Sequence, residues 1–400
     1  MTDSGEQISW MGRRSFLWAS ALAAAMPIVS EATLAHAARA SFVGEVPPDA
    51  VLINANENPL GPCKAACDAI AGLGVLGGRY DRLDDTDRLA SLFASQNGLN
   101  PESVAVYAGS SEPLHYAVLA FTSPDRGLVL AQPSYEAPVN AAKVAGAKVH
   151  RVPLTGDYAH DMKAMVAADP TAGVIYVCNP NNPTGTVTPR EQILWALANK
   201  PAGSLLLVDE AYIQLTEERT VLDQVAAGKD LIVLRSFSKV YGMAGIRCGF
   251  AVGRPDLLAK LTPYFQNMMP VTALAAALAS LKDPDVVPTR RKWIADTRRE
   301  TIAWLRGAGY KVVGEPQTNC FMIDTGRDGT GVIHAMRTQN VYIGRLWPEW
   351  PKAVRITVGS PDDMAKFRTA FKTVMNSPAL AVAGPPPPGF IGKGRTTFLS

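Results

Sequence analysis

The chain has 400 residues, of which 47% are apolar and 19% are charged. This composition is typical of a globular protein with a large core and two or three domains, and it excludes a disordered chain. The formal net charge is only +3, and no basic run alternates with aromatic residues, so we do not expect a nucleic acid as a partner. The functional question therefore concerns a small molecule.

The first 37 residues have the features of an export signal. Arg13 and Arg14 precede an alanine-rich run over residues 18–29, and Ala35 and Ala37 are small residues where a signal peptidase reads the chain. The paired arginines resemble the twin-arginine signal. A membrane anchor and an amphipathic helix are the alternatives, but the run is shorter than the ~20 residues of a membrane span. We therefore predict cleavage near Ala37, export to the periplasm by the twin-arginine machinery, and no stable membrane insertion afterwards.

Short apolar runs alternate with helix-length stretches through the middle of the chain. The runs lie at residues 104–107, 127–131, 173–178, 204–208, 231–234 and 248–252. This alternation predicts an α/β fold, with a mostly parallel sheet covered by helices on both faces.

The last third of the chain has a different pattern and predicts a smaller α+β domain. Helices are expected at 289–308 and 362–375, and short strands at 311–313, 321–323 and 354–358. The predicted segments are a signal over 1–37, an N-terminal arm and part of the small domain over 38–80, a large domain over 81–285, the rest of the small domain over 286–376, and a Pro/Gly-rich tail over 377–400.

The segment around Lys239 is the most informative part of the sequence. A buried strand is predicted just before it. Ser236 and Ser238 precede Lys239, and Arg247 follows it by eight residues. A lysine amine with a lowered pKa can form a Schiff base with a carbonyl carbon, while serine hydroxyls and an arginine suit a phosphate monoester. These groups predict a site for an aldehyde that carries a phosphate, such as pyridoxal 5′-phosphate (PLP). A surface lysine in a glycine-rich loop is the alternative.

Other informative residues follow predicted strands. Asp209 ends an apolar run, where an unpaired carboxylate is costly and a protonated pyridine nitrogen would compensate it. For Asp209 alone, a helix N-cap or a structural ion pair is the alternative. Gly109, Ser110 and Ser111 precede a helix, so their backbone N–H groups can point at an anion. Because ligands bind beyond the carboxyl ends of strands in α/β sheets, we expect these loops to converge.

Five motifs in order resemble those of the class I/II PLP-dependent aminotransferases. They lie at residues 54–62, 179–185, 208–212, 236–247 and 355–359. The fourth resembles the family's lysine signature, and the first and last resemble the histidinol-phosphate aminotransferase branch in particular. The resemblance covers roughly residues 45 to 375. It implies fold type I, with a mostly parallel seven-stranded sheet in the large domain and a smaller α+β domain, and a homodimer.

The resemblance also implies a role for each matching residue. Lys239 would hold PLP and move protons, Asp209 would pair with the pyridine nitrogen, and Asn182 and Tyr212 would bind the ring hydroxyl. Tyr135 would stack on the ring. The phosphate would be bound by Gly109, Ser110, Ser111, Ser236, Ser238 and Arg247, with Tyr80 reaching the phosphate of a neighbouring subunit.

Substrate-binding residues are expected in the first and last motifs. Arg355 lies in an apolar context, and its guanidinium fork suits the α-carboxylate of the substrate. Arg345 resembles a second arginine near the substrate in the histidinol-phosphate branch, and Asn58 belongs to the first motif. Trp347 and Trp350 either line a side-chain pocket or pack the domain.

We therefore predict an exported PLP-dependent aminotransferase that acts on an amino acid, or a related amine, and a 2-oxo acid. The twin-arginine route carries folded proteins, which suits an enzyme that must bind its cofactor before export. An exported enzyme would not meet histidinol phosphate, so a free amino acid or a peptide- or metabolite-linked amine is the expected donor. A racemase, decarboxylase or lyase on the same residues is the near alternative, and a non-catalytic binding protein the distant one.

The cysteines do not predict a metal site. The chain has five, without a CxxC motif or a close histidine. Cys63 and Cys67 lie four residues apart, and we expect them to stay reduced because a bridge within one helical turn is geometrically tight.

Overall fold

The computed structural model describes residues 46–81, 84–265 and 268–378. The predicted signal over 1–37 and residues 379–400 of the predicted tail lie outside the described residues. Within the part of the chain that the structure describes, no helix is both long enough and apolar enough to cross a membrane.

The described residues form twelve strands and twelve α-helices. The strands are β1 (Val51–Ile53), β2 (Val104–Tyr107), β3 (Leu128–Gln132), β4 (Val149–Pro153), β5 (Val174–Cys178), β6 (Leu205–Asp209), β7 (Leu231–Ser236), β8 (Gly249–Gly253), β9 (Lys311–Val312), β10 (Cys320–Asp324), β11 (Val341–Ile343) and β12 (Ala353–Thr357). The helices are α1 (Lys64–Ala71), α2 (Asp85–Gln96), α3 (Ser111–Phe121), α4 (Ala137–Val144), α5 (Met162–Ala167), α6 (Arg190–Asn199), α7 (Leu222–Ala226), α8 (Pro255–Leu258), α9 (Val271–Lys282), α10 (Val286–Gly307), α11 (Gly329–Thr338) and α12 (Pro361–Asn376).

A seven-stranded sheet forms the centre of the large domain, which confirms the predicted fold class. Its spatial order is β2-β8-β7-β6-β5-β3-β4. Only β8 runs antiparallel to its neighbours β2 and β7, and the other described pairs are parallel. The central strands β5, β6 and β7 consist of consecutive buried residues, because helices cover both faces of the sheet.

Alternate residues of these strands supply two apolar clusters on opposite faces. In β5, Ile175 and Val177 join the cluster that includes Met165 of α5. Val174 and Tyr176 join the other cluster, which includes α3 and α4. The sheet is thus held rigid from both sides, and the loops at its carboxyl edge are fixed in place.

The edge strand β4 is absent from the sequence prediction. Its sequence is Val-His-Arg-Val-Pro, and only Val152 is buried. It pairs on one side only, with β3. An edge strand lacks the continuous apolar run that marks a central strand, so the pattern that predicts β5 to β7 fails here.

The small domain combines two short sheets with long helices. β9, β10 and β12 form an antiparallel sheet, and β1 of the N-terminal arm pairs in parallel with β11. The helices predicted at 289–308 and 362–375 are present as α10 and α12, and a capping box of Ser360 and Asp363 begins α12. The pairing of β1 with β11 is not predicted by the sequence, because two strands of three residues give no distinct signal. Cys63 and Cys67 are free thiols, and Cys63 is buried.

Candidate active site

Lys239 lies in the loop that follows β7, at the carboxyl edge of the large sheet. Its side chain is buried, and its Nζ donates a hydrogen bond of 3.0 Å to the backbone oxygen of Asn56. The same Nζ lies 5.2 Å from the centre of the Tyr212 ring. The amine therefore faces the interior of the protein, which excludes the alternative of a lysine on a surface loop.

A cleft lies beside this amine. The predicted site residues that line it are Ser110, Ser111, Tyr135, Asn182, Asp209, Tyr212, Ser236, Ser238, Lys239 and Arg247. Residues that line it without having been predicted are Ala55, Glu57, Cys178, Ala211 and Ala244. The loops that follow several strands of the sheet thus converge on one site, as expected for a parallel sheet.

One end of the cleft is suited to an anion. Arg247 donates to Ser238 Oγ at 3.2 Å and to the backbone oxygen of Ala108 at 3.2 Å, and burial lowers the pKa of its guanidinium. Gly109 has a φ of +91°, and a Cβ there would lie only 2.0 Å from Arg247 Nη2. Ser110 immediately precedes α3, whose first backbone N–H groups have no partner within the helix. A half-buried cation, hydroxyl groups and a helix N-terminus are together suited to a phosphate.

Asp209 lies at the other side of the cleft, at the end of β6. Its carboxylate accepts hydrogen bonds from the Tyr176 hydroxyl at 3.0 Å and from the Ala211 N–H at 3.1 Å. Burial raises the pKa of the Asp209 carboxyl from 3.8 to about 6, although both hydrogen bonds act in the opposite direction. Tyr176 is fully buried and was not predicted, because every residue of β5 is buried and the pattern does not show which face points at Asp209.

Two asparagines and a tyrosine connect the cleft to the small domain. The Tyr212 hydroxyl accepts a hydrogen bond from Asn56 Nδ2 at 3.0 Å. Asn182 Oδ1 accepts from Arg355 Nη1 at 2.9 Å. Asn56 belongs to the first sequence motif and was not predicted as a site residue. Its backbone oxygen accepts a hydrogen bond from Lys239, and its side-chain amide donates one to Tyr212. Its left-handed conformation, with φ of 53°, directs the two groups to different partners.

Arg355 is completely buried in β12 and lies beside the cleft. Besides Asn182, it donates to the backbone oxygen of Asn54 at 2.7 Å. Its guanidinium carbon lies 5.4 Å from the centre of the Trp347 ring. The planar guanidinium fork of a buried arginine beside the cleft suits a carboxylate ligand.

Arg345 has a partner that the sequence does not predict. Its guanidinium binds the Glu136 carboxylate through two contacts, from Nη1 to Oε1 and from Nη2 to Oε2, the second at 3.2 Å. It also lies 4.3 Å from the Trp347 ring centre. The partner was missed because Glu136 lies 209 residues earlier in the chain.

The two tryptophans differ in their surroundings. Trp347 is buried, lies between Arg345 and Arg355, and donates from Nε1 to the backbone oxygen of Ser134 at 3.1 Å. Trp347 therefore both packs the domain and borders the two arginines. Trp350 packs edge-on against Tyr158.

Asn58 and Tyr80 are among the predicted site residues that do not line the cleft. Asn58 Nδ2 donates to the backbone oxygens of Lys239 and Val240, and its Oδ1 accepts from the Leu60 N–H. Its amide thus fixes the lysine loop, and its predicted contact with substrate stays a prediction. Tyr80 is 80% exposed and does not line the cleft.

These residues fit PLP. The cofactor carries a phosphate, an aldehyde and a basic ring nitrogen, and the cleft offers the Arg247 site, the Lys239 amine and the Asp209 carboxylate in turn. Burial raises the pKa of the Asp209 carboxyl although the Lys239 charge acts in the opposite direction, and a protonated ring nitrogen would compensate the desolvated carboxylate. When bound, PLP supplies an electron sink for negative charge on a substrate carbon.

Known proteins match the chain over nearly all of the described residues. The model of the family "aminotransferase class I and II" matches residues 48–371. An aromatic amino acid aminotransferase from Cutibacterium acnes is 34% identical over 321 residues, which cover 78% of this chain and 88% of the relative. Histidinol-phosphate aminotransferase 1 from Nitrosococcus oceani is 31% identical over 335 residues, which cover 82% of this chain and 89% of the relative.

Solved structures agree. A putative histidinol-phosphate aminotransferase from Erwinia carotovora atroseptica superposes with a TM-score of 0.78 at 30% identity, covering 83% of this chain and 98% of the other. The histidinol-phosphate aminotransferase from Sinorhizobium meliloti, solved with PLP, superposes with a TM-score of 0.74 at 24% identity, covering 81% of this chain and 90% of the other. This likeness supports the fold alone. The chain therefore belongs to the class I and II aminotransferase family, and it is a PLP-dependent aminotransferase of fold type I.

Proposed function

We propose that the enzyme transfers the amino group of a free amino acid with an aromatic side chain to a 2-oxo acid. The observation that carries this proposal is the convergence of Lys239 and Asp209 on one cleft, with Arg355 bound to the cleft residue Asn182. The names of relatives such as the Cutibacterium acnes enzyme favour an aromatic donor. The Trp347 ring between the two arginines provides an apolar surface beside the expected carboxylate position.

Each residue has a task in this proposal. The Lys239 amine would hold the cofactor, and once released it would act as the base that moves the proton of the substrate α-carbon. Asp209 keeps the ring nitrogen protonated, because an ionised carboxylate in a buried site is stabilised by a cation. Asn182 and Tyr212 orient the ring. Tyr135 covers one face of it, and the groups around Arg247 anchor its phosphate.

The reaction type is tested by mixing the PLP-loaded enzyme with L-phenylalanine in the absence of any 2-oxo acid. We expect about one equivalent of phenylpyruvate per active site, and continuous turnover once 2-oxoglutarate is added. Lys239→Ala should retain below ~1% of this turnover, because proton transfer alone contributes ~10²–10⁴-fold. D-phenylalanine would instead identify a racemase, 2-phenylethylamine a decarboxylase, and no product from any amino acid a binding protein.

The proposed role of Arg355 is tested by Arg355→Lys, which keeps the charge but loses the bidentate fork. We expect kcat/KM for L-phenylalanine to fall about 100-fold. 2-Phenylethylamine has the same side chain without the carboxylate, so its slow reaction should change less than about threefold. Equal losses for both amines would mean that Arg355 supports the fold and does not bind the α-carboxylate.

We also propose that the active form is a homodimer in which Tyr80 reaches the phosphate site of the partner. The segment before it supports this idea. None of residues 74–78 is buried, and Val75 is 96% exposed and Leu76 48% exposed. Apolar side chains exposed in one short segment favour contact with a second protein surface.

Export to the periplasm by the twin-arginine route, with cleavage near Ala37, is a further part of the proposal and rests on the sequence of residues 1–37. The pair Arg13→Lys and Arg14→Lys should retain a folded, PLP-loaded enzyme inside the cell. Cell fractionation and amino-terminal sequencing of the periplasmic material, expected to begin near Ala38, test both points. An uncleaved product in the membrane fraction would favour an anchor instead.

A further inference from the structure

The ion pair of Arg345 and Glu136 lies next to the position proposed for the substrate. Gly344 donates its N–H to the backbone oxygen of Arg355 at 2.8 Å, so Arg345 is held beside the strand that carries Arg355. Both guanidinium groups border the ring of Trp347, at 4.3 and 5.4 Å. A donor whose α-carboxylate binds Arg355 therefore has its side chain within reach of Arg345.

Glu136 approaches Arg345 from the other domain. It lies in the turn between β3 and α4, directly after Tyr135, which lines the cleft. The Ser134 carbonyl, in the same turn, holds the Trp347 indole. The turn over residues 134–136 thus fixes one wall of the cleft, the tryptophan and the carboxylate together.

Within this ion pair, the Glu136 carboxylate neutralises the positive charge of Arg345. Two parallel contacts occupy the guanidinium fork, and the Arg345 side chain is only 10% exposed. An anionic side chain must then either displace Glu136 or bind beside its negative charge, and both alternatives cost binding energy. The Glu136 side chain is 37% exposed, so it can be displaced into solvent at a finite cost.

We propose that Glu136 is a specificity-determining residue, an internal counter-ion of Arg345 that disfavours donors and acceptors with an anionic side chain relative to neutral aromatic ones. This inference rests on the proposed aminotransferase reaction and names its side-chain preference. A neutral side chain leaves the ion pair intact and packs beside it. The side-chain carboxylate of a dicarboxylate binds Arg345 only by displacing Glu136.

The test is Glu136→Gln, which keeps the size of the side chain and an amide oxygen for Arg345 but removes the negative charge. We expect kcat/KM for glutamate to rise about tenfold or more and that for phenylalanine to change less than about twofold. The dissociation constants of the unreactive acids maleate and 3-phenylpropionate, measured by calorimetry on the PLP-loaded enzyme, should change in the same pattern. Unfolding temperature and PLP content verify that the variant is folded.

Two further variants locate the effect. Glu349 is a nearby exposed carboxylate that contacts Gln132. Glu349→Gln should change kcat/KM for the two amino acids and the dissociation constants of the two acids by less than about twofold. Adding Arg345→Ala to Glu136→Gln should abolish the gain for glutamate and maleate. A comparable gain in the Glu349 variant, or equal changes for anionic and neutral ligands, would overturn the proposal. If the wild type transaminates neither amino acid, the proposed reaction is wrong. The dissociation constants of maleate and 3-phenylpropionate would still test the proposed effect of Glu136.

Discussion

The carboxylate of Asp209 depends on Tyr176 for one of its two hydrogen bonds. We expect Tyr176→Phe to lower the single-turnover rate with a donor by about 10- to 100-fold, because a hydrogen bond to a charged buried group contributes about 1.5–3 kcal/mol. Rapid mixing with L-phenylalanine measures this rate. Tyr107→Phe, which alters a buried tyrosine of β2 in the same sheet, is the matched control and should be close to the wild type. An unchanged rate in the Tyr176 variant would show that the Ala211 N–H suffices.

Asp209 also makes the stability of the apoprotein depend on pH. Burial raises the pKa of this carboxyl from 3.8 to about 6. A carboxyl whose pKa is raised on folding stabilises the fold below pH 3.8 and loses that contribution as the pH rises through 6. Asp209→Asn cannot ionise, so the apo variant should gain stability over the wild type between pH 4 and pH 7, by at most about 3 kcal/mol.

Urea unfolding of both apoproteins at pH 4.5 and pH 7.5 measures this gain. In the PLP-loaded protein the order should reverse at pH 7.5, because the ionised carboxylate then faces a protonated ring nitrogen. A difference between the two apoproteins that is the same at both pH values would contradict the raised pKa.

At the scale of elements, the turn from β2 into α3 depends on Gly109. Its φ of +91° disfavours other residues, and a Cβ would meet Arg247 Nη2 at 2.0 Å. Gly109→Ala should therefore displace the guanidinium and weaken PLP binding by about tenfold or more, since Arg247 is the cation of the proposed phosphate site. Fluorescence titration of the apoprotein with PLP measures the affinity. Gly156→Ala is the control, because nothing lies within 4 Å of its Cβ position.

The sequence predicts those elements whose signal is local. Central strands such as β6 consist of unbroken apolar runs, and the site residues that follow them, such as Asp209 and Ser236, lie at strand ends where they are easily recognised. The edge strand β4 has polar residues and was missed. Its missing apolar run is a direct result of its position at the sheet edge, exposed to water.

Contacts between distant segments could not be predicted. Tyr176 and Asp209 are 33 residues apart, and Glu136 and Arg345 are 209 residues apart. A single sequence shows that each side chain is polar or apolar, but it does not show which strand register or domain orientation brings two of them together. Arg345 was therefore predicted only as a substrate-binding residue, and its contact with the Glu136 carboxylate of the same chain could not be foreseen.

For the whole molecule, the exposed segment before Tyr80 predicts the oligomeric state. Val75→Glu together with Leu76→Glu should convert the proposed dimer to a monomer, because charged groups at a desolvated interface are unfavourable. Light scattering after size-exclusion chromatography measures the mass. Trp195→Glu changes another exposed apolar residue, 37% exposed on α6, and should leave the dimer intact. A monomeric wild type with full activity would contradict the proposed role of Tyr80.

The hydrogen bond from the Asn56 N–H to Thr357 Oγ1 joins residues 301 positions apart, and β1 pairs with β11 over a similar distance. The first motif of the site can therefore take its place only after the last strand of the small domain has left the ribosome. A nascent chain that ends before Thr357 lacks the hydrogen bond that positions Asn56, whose carbonyl accepts a hydrogen bond from Lys239 Nζ. The position of the lysine amine therefore depends on contacts that only a chain extending through Thr357 can make.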